Sequence, residues 1–180
     1  MARPIIEAMS RDLVRPVVIE NRAGAGDGIR MGVTAKAKPD GHTVLLARSS
    51  LTLIPEADIV LGRPAMFALH DLRPIARFTA DSTVLTVLAD PPLQTVQQFV
   101  KDAKKRAGAI SYGLSETYGT THVPMEILSQ NAGIKMTRVP FTGAGPAVVA
   151  LLGRQIDAVS SGPATVLQQV KAGKLRVLAH

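Results

Sequence analysis

The chain has 180 residues, which is enough for one large domain or two small lobes with a sizeable core. Apolar residues make up 46% and charged residues 19%, as in globular proteins, and the absence of cysteine excludes disulfides, thiolate metal sites and cysteine nucleophiles. The net charge of +7 suits an anionic partner without distinguishing nucleic acid, a membrane surface or a small acid. No apolar run approaches the roughly 20 residues of a membrane span.

The first third of the chain alternates helical and strand patterns. An amphipathic helix is predicted over residues 1–13, and this segment lacks the apolar core of a signal peptide. A strand follows at Pro16–Ile19, then a glycine-rich turn at residues 21–28 and a helix to about Lys38. The apolar run His42–Ala47 predicts a buried strand.

The middle of the chain contains the expected boundary between two lobes. Residues 51–74 contain several prolines and are predicted to be irregular. Strands are predicted at Ile75–Phe78 and Thr83–Leu88, and the boundary is placed near Asp81–Thr83. Thr95 is expected to cap the helix that follows, because its hydroxyl can accept an N–H of the first helical turn.

The last 70 residues repeat a strand, a loop and a helix. The predicted strands are Ile110–Tyr112, Met136–Val139, Ile156–Val159 and Leu175–Leu178. Helices are predicted at about Thr121–Asn131, after Pro146 and from Pro163 to about Ala172. This order is typical of a parallel sheet covered by helices. Each loop leads into a helix N-terminus, where unpaired N–H groups and the helix dipole favour an anion.

Motifs for other functions are incomplete. Residues Gly24–Gly28 have the spacing G-x-G-x-G, which differs from the dinucleotide fingerprint. Ser115, His122 and Asp157 are the residue types of a hydrolase triad, but no G-x-S-x-G motif surrounds any serine. No two histidines have the spacing of metal ligands on a helix, so no metal site is expected. The basic cluster Lys101–Arg106 is favoured by a helix C-terminus alone, and no nucleic-acid motif accompanies it.

The loop after the strand at residue 110 is rich in hydroxyl groups. Five residues within seven positions carry one, namely Ser115, Thr117, Tyr118, Thr120 and Thr121. The loop lies between a strand end and a helix start, where open α/β sheets bind ligands. Glu116 argues against an anion directly at its own position, since like charges repel.

Five segments together resemble a known family. They are VVIENRAGAGDGIRMG, KPDGHTVLLARSS, ISYGLSETYGTTH, VPFTGAGPAVVALLGRQID and KAGKLRVLAH. In this order they resemble the substrate-binding proteins of tripartite tricarboxylate transporters, also called Bug proteins. The resemblance implies an α/β fold of the two-lobed periplasmic-binding type (type II), with parallel or mixed sheets and helices on both faces. It also implies a protein that closes on a small organic carboxylate and presents it to a membrane permease, with no catalytic chemistry and no cofactor.

The family pattern also suggests which residues bind the ligand. Those implied are Ser49, Ser50, Ser115, Thr117, Gly119, Thr120, Thr121, His122, Thr142, Gly143 and Ser161. Ser49 and Ser50 would approach from the first lobe, and the others lie in the second. Leu114 and Glu116 depart from the small residues usual in the family, and Ser161-Gly162 stands where Asp-Asn is common.

The family pattern extends beyond both ends of this chain. We therefore expect a partial first lobe at residues 1–82, a second lobe at 83–174 and the start of a return to the first lobe at 175–180. An incomplete lobe exposes sheet edges, which predicts self-association. The family is periplasmic, and this location is expected here although the chain shows no signal peptide.

Four alternatives to transport remain at the level of sequence. The same fold could serve as a ligand-sensing module acting through a partner protein. The chain could be a truncated member without function. An enzyme of acyl or ester chemistry and a basic nucleic-acid binder are the remaining classes, and the latter predicts steeply salt-dependent binding to DNA.

Overall fold

The computed structural model describes residues 2–20, 27–80, 82–90 and 93–180. Its centre is a five-stranded sheet, built from β1 (Val84–Leu88), β2 (Ser111–Leu114), β3 (Thr137–Pro140), β4 (Ala158–Ser161) and β5 (Leu175–Ala179). The strands lie in the order β3-β2-β4-β1-β5. Seven α-helices are described, which are α1 (Ala2–Asp12), α2 (Asp27–Ala35), α3 (Ser50–Val60), α4 (Val96–Lys105), α5 (Val123–Ala132), α6 (Ala144–Leu152) and α7 (Pro163–Lys171).

The predicted repeat of strand, loop and helix is confirmed. β2 runs parallel to both β3 and β4, with Ser111 opposite Thr137 and Tyr112 opposite Ala158. Helix α5 connects β2 to β3, and α6 connects β3 to β4. Parallel neighbours need such crossovers, because a tight turn can join only antiparallel strands. β1 is antiparallel to β4, so the sheet is mixed.

The last strand joins the sheet at its edge. β5 pairs antiparallel with β1, and Leu88 lies opposite Leu175. Residues 175–179 are therefore part of the same sheet as β1–β4. The apolar alternation of this segment could not show which sheet would receive it. The division into lobes, with residues 175–180 as the start of a return to the first lobe, stays a prediction.

Apolar cores lie on both faces of the sheet. One core contains Phe99 of α4 and Met125 of α5, packed with Leu85 of β1. The other contains Leu151 of α6 and Val166 of α7, with residues of β1, β4 and β5. Successive residues of a strand point to opposite faces, so one sheet supplies both cores. Each fully buried large side chain, such as Phe99, contributes roughly 1.5–3 kcal/mol.

Thr95 caps α4 as predicted. Its hydroxyl accepts the N–H of Gln98 at 3.2 Å, and the Gln98 side chain accepts the N–H of Thr95 at 3.2 Å. This reciprocal arrangement satisfies N–H groups that have no partner within the helix. At the C-terminal end of α5, Gly133 has φ +62°, a left-handed conformation that glycine adopts without a Cβ clash.

Helices α2 and α3 pack together in the first part of the chain. Met31 and Phe67 are buried there, at 2% and 4% exposed. The prediction that residues 51–74 are irregular is wrong for α3, which contains Pro55. Proline removes one helical hydrogen bond, and tertiary contacts overrode that preference. The glycine-rich turn was predicted at residues 21–28, and its part at 21–26 lies outside the described residues.

Three predicted strands of the first part form no sheet. Pro16–Ile19, His42–Ala47 and Ile75–Phe78 have no partner strand among the described residues. Their apolar side chains are exposed, with Val18 at 85%, Val44 at 58% and Ile75 at 81%. A β-strand requires a hydrogen-bonded neighbour, so a suitable sequence pattern is insufficient without one.

None of the helices within the described residues has the length and apolar character needed to cross a membrane.

Candidate functional site

The ends of three parallel strands meet at one edge of the sheet. β2, β3 and β4 run in the same direction, so the loops that follow Leu114, Pro140 and Ser161 lie at that edge. The antiparallel β1 begins there as well, since Val84 lies opposite Ser161. Open α/β sheets bind ligands at the carboxyl ends of their strands.

A helix starts directly behind each of these loops. The N-cap residues of α5, α6 and α7 are His122, Gly143 and Gly162, and none forms a side-chain cap hydrogen bond. The first N–H groups of a helix lie at the positive end of its dipole and need partners outside the regular helical hydrogen bonds. In α5 the N–H groups of Val123 and Met125 already donate to the carbonyls of Gly119 and His122, and α7 begins with Pro163, which has no N–H. α6 begins with Ala144 and Gly145, which both carry a peptide N–H. This edge therefore offers donors to an anion.

The hydroxyl-rich loop is held by its own side chains. The Thr121 hydroxyl accepts the N–H of Ser115 at 3.3 Å and lies 3.4 Å from the Ser115 hydroxyl. Thr83, directly before β1, donates its hydroxyl to the Thr120 carbonyl at 2.8 Å. Tyr118 has φ +61°, which is uncommon for a residue with a side chain. The loop is therefore held in place by hydrogen bonds, and its backbone is locally strained at Tyr118.

His122 supports this loop from inside the protein. It is 4% exposed, and its Nδ1 accepts the N–H of Tyr118 at 3.2 Å. Its Nε2 lies 3.3 Å from Oε1 of Glu126, whose oxygen also accepts the Tyr112 hydroxyl at 3.1 Å. Nε2 lies nearer to Nη1 of Arg138, at 3.1 Å, so this nitrogen has a donor and an acceptor as neighbours. His122 was predicted to contact the ligand, and its ring already contacts groups of the protein itself.

Burial sets the charge states of His122 and Tyr112. Burial lowers the pKa of His122 and Arg138 adds to that effect, whereas Glu126 opposes it. Burial likewise raises the pKa of Tyr112 far above its usual range, with the charge of Glu126 adding to it. At neutral pH both rings are uncharged, because the charged form of each would lose its solvation.

Glu116 lies folded into the loop. Its side chain is only 8% exposed. Oε1 accepts the Thr120 hydroxyl at 3.0 Å, and Oε2 lies 3.5 Å from the guanidinium of Arg48. The carboxyl group covers Gly119, where a Cβ would lie 2.4 Å from the Glu116 Cδ.

The remaining predicted residues occupy different environments. Ser49 is the exposed N-cap of α3, and Ser50, the first residue of that helix, is fully buried. Arg48, directly before them, reaches the second part of the chain through Glu116. Thr142 is exposed, and the buried Ser161 donates its hydroxyl to the Gly162 carbonyl at 3.4 Å. The structure thus gathers the predicted loop residues at one sheet edge and brings Arg48 beside them.

The side chains of the alternative triad have other partners. Asp157 accepts both the N–H and the hydroxyl of Ser111 at 2.8 Å. Its other oxygen accepts from Arg106 at 3.1 Å. These bonds hold β4, β2 and the end of α4 together, and His122 faces Glu126 instead. No group of three potential metal ligands of the His, Cys, Asp or Glu type occurs within residues 2–20, 27–80, 82–90 and 93–180.

Sequence reasoning missed the part played by Arg48. The sequence did offer one signal for it: Arg48 directly precedes Ser49 and Ser50, which were expected to contact the ligand. Glu116 was noted only as an obstacle to an anion. Nothing in the local sequence shows that its carboxylate turns back onto Gly119.

Comparisons with known proteins agree with this architecture. The family model described as "Tripartite tricarboxylate transporter family receptor" matches residues 1–180. Protein BugT of Bordetella pertussis is 32% identical over 179 residues, which cover 99% of this chain and 55% of that protein. A protein of Cupriavidus necator described as "UPF0065 protein in gbd 5'region" is 30% identical over 177 residues, covering 98% of this chain and 53% of its own length.

A solved structure has the same fold. It is described as "Structure of a periplasmic transporter", with a TM-score of 0.84 and 31% identity over 99% of this chain and 59% of that one. The chain spans about half the length of the curated relatives it matches. The chain belongs to the family of tripartite tricarboxylate transporter receptors, as the sequence motifs indicated.

Proposed function

We propose that this chain contributes the carboxylate-binding part of a periplasmic receptor, which delivers a small organic acid to a tripartite permease. The observation that carries this proposal is the shared edge of β2, β3 and β4. Three strand ends lead there into three helix N-termini without side-chain caps. Backbone N–H groups and hydroxyls can donate hydrogen bonds to a carboxylate, and the helix dipoles attract its negative charge, so no basic side chain is required.

The binding residues that we propose lie in two groups. Ser115, Thr117, Gly119, Thr120 and Thr121 line the hydroxyl-rich loop, and Thr142, Gly143 and Ser161 belong to the neighbouring strand ends. Ser49 and Ser50 approach from the first part of the chain, next to Arg48. His122 acts through the loop, since its ring holds the N–H of Tyr118. Membership of a receptor family supports a periplasmic location and a permease as partner.

Dicarboxylates are the first ligands to test. Two structures with the same fold are described with adipate (23% identity) and with bound malate, the latter MatC from Rhodopseudomonas palustris (24% identity). At this level of identity the likeness concerns the fold, so each ligand belongs to the protein that holds it. These acids therefore define the starting panel, together with tricarboxylates, aromatic acids and amino acids.

A thermal-shift screen tests the proposal. A ligand that binds the folded state alone raises the free energy of unfolding with the logarithm of 1 plus its concentration over Kd, so the melting temperature keeps rising with ligand concentration. We expect at least one acid to give a shift that follows this dependence with a single Kd and persists at moderate salt. Thr117→Val and Thr142→Val should each weaken that acid about tenfold or more, since a hydrogen bond to a charged group contributes roughly 1.5–3 kcal/mol.

Thr137→Val serves as the matched control, because Thr137 is an exposed threonine at the start of β3, at the opposite edge of the sheet from the site. It should leave the affinity unchanged. A cooperatively melting protein that responds to no acid, or variants that behave like the control, would contradict the proposed site. Shifts from phosphate and a DNA oligomer that vanish with salt would indicate non-specific attraction to the basic surface.

A further inference from the structure

The carboxylate of Glu116 is already bound within the candidate site. Thr120 donates its hydroxyl to Oε1 at 3.0 Å, and the guanidinium of Arg48 lies 3.5 Å from Oε2. The side chain is 8% exposed, which is unusual for a glutamate in a surface loop. A carboxylate leaves water at such a cost only where donors replace the lost hydration.

The space for this carboxylate exists because residue 119 is glycine. A Cβ at Gly119 would lie 2.4 Å from Cδ, 2.5 Å from Cγ and 2.8 Å from Oε1 of Glu116. These contacts are far shorter than van der Waals separation, so any larger residue would displace the glutamate side chain. The loop therefore forms a cradle that fits one carboxyl group against its backbone.

The donors of this cradle come from two parts of the chain. Arg48 directly precedes α3, and Thr120 belongs to the loop behind β2. Thr83 fixes the Thr120 peptide by donating to its carbonyl at 2.8 Å. A carboxylate held from both sides is the arrangement expected of a captured ligand in a two-sided cleft.

We propose that Arg48, Thr120 and Gly119 form a carboxylate subsite, and that Glu116 occupies it as a tethered internal ligand. This inference rests on the proposed carboxylate-binding function of the same sheet edge. An external acid then meets a negative charge at this position and has to bind beside it or displace it. Glu116 is accordingly a specificity-determining residue, which disfavours a second carboxylate next to the loop.

Emptying the cradle tests the assignment with a minimal probe. Glu116→Ala removes the tethered carboxylate and leaves Arg48, Thr120 and Gly119 in place. Acetate supplies the missing group, and we expect a thermal shift that follows a single Kd on the order of 1–10 mM, a range open to a ligand of few atoms. Wild-type protein should show no shift with acetate beyond that of a chloride control at the same ionic strength.

Three controls separate occupancy from charge. Glu116→Gln removes the charge but fills the cradle with an isosteric amide, so acetate should not bind. Arg48→Ala combined with Glu116→Ala should weaken acetate about tenfold or more, because a charged donor is lost. Ethylammonium, which has a similar size and the opposite charge, should give no shift in Glu116→Ala.

Glu116→Ser is measured in parallel, since its short side chain also empties the cradle and keeps the test available if the alanine variant is poorly folded. Equal acetate responses in wild type and in both short variants, or equal responses with and without Arg48, would overturn the subsite. The acid screen on wild-type protein is independent of this result. If acetate binds Glu116→Ala but no acid binds the wild-type protein, the subsite is supported and the receptor function is refuted. If an acid binds the wild-type protein but acetate does not bind Glu116→Ala, the receptor function is supported and the subsite is refuted.

Discussion

At the scale of single residues, His122 links the charge state of the protein to the shape of its loop. Its buried ring accepts the N–H of Tyr118, a residue held at positive φ. A protonated ring could not accept that bond, since both nitrogens would then be donors. Burial lowers the pKa of His122, so the folded state favours the neutral form.

We predict a specific pH dependence of stability from this residue. A histidine whose folded pKa lies below its unfolded value of about 6.5 stabilises the fold fully above that pH. The contribution is lost as the pH falls through the folded pKa, because the unfolded chain binds the proton first. The free energy of unfolding of the wild-type protein, measured in urea, should therefore fall between about pH 7.5 and 5. His122→Gln should lack that part of the slope, and the exposed His180→Gln should retain it. Parallel slopes in wild type and His122→Gln would exclude this role.

At the scale of elements, Asp157 joins two strands and a helix. Its carboxylate accepts two hydrogen bonds from Ser111 at the start of β2 and one from Arg106 behind α4. Burial raises the pKa of Asp157, but the bonds from Ser111 and Arg106 outweigh that effect and hold the pKa below its usual range. The same aspartate was a candidate for a catalytic triad, and its contacts are structural.

Asp157→Asn should destabilise the folded state by about 1–3 kcal/mol at pH 7, because a charged acceptor of three hydrogen bonds is lost. A carboxyl group with a lowered folded pKa stabilises above its unfolded pKa of about 4 and loses that contribution as the pH falls through the folded value. The difference between wild type and Asp157→Asn should therefore shrink towards pH 3 in urea titrations. Asp12→Asn, an exposed aspartate at the end of α1, is the matched control. A variant as stable as this control at pH 7 would show that the network contributes nothing.

At the scale of the whole molecule, the two parts of the chain differ in how their strands are satisfied. Residues 84–179 contain a five-stranded sheet with a core on each face. The extended segments at 16–19, 42–47 and 75–78 have apolar side chains in solvent and no partner strand among the described residues. Extended backbone without a partner strand, beside exposed apolar side chains, is a template for association with another strand.

We predict that the chain self-associates through these segments. Light scattering after size exclusion should show a mass that rises with protein concentration. Val44→Lys combined with Ile75→Lys should shift the protein towards monomer, because charged edges oppose strand pairing. Val149→Lys is the matched control, since Val149 is 69% exposed on α6, outside those segments. A constant monomer mass, or an equal effect of the control, would refute the prediction.

The family and the local elements of the second half of the chain can be predicted from the amino-acid sequence. The parallel repeat, the Thr95 cap and the loop position follow from apolar spacing, glycine placement and capping chemistry, which act between near neighbours. Helix α3 was missed because the local cost of Pro55 is visible in the sequence and its packing against α2 is not. The placement of β5 beside β1 was decided by tertiary structure, since an apolar strand carries no label for its partner.

The candidate site divides along the same line. The hydroxyls of residues 115–121 and the N-termini of α5, α6 and α7 could be placed from the sequence, because strand, loop and helix follow one another. Three contacts could not be predicted from the sequence: Glu116 folds onto Gly119, Arg48 meets Glu116 across 68 positions, and the ring of His122 is buried. These contacts depend on where distant backbone segments come to lie, and burial and charge pairing settle them once the sheet has formed.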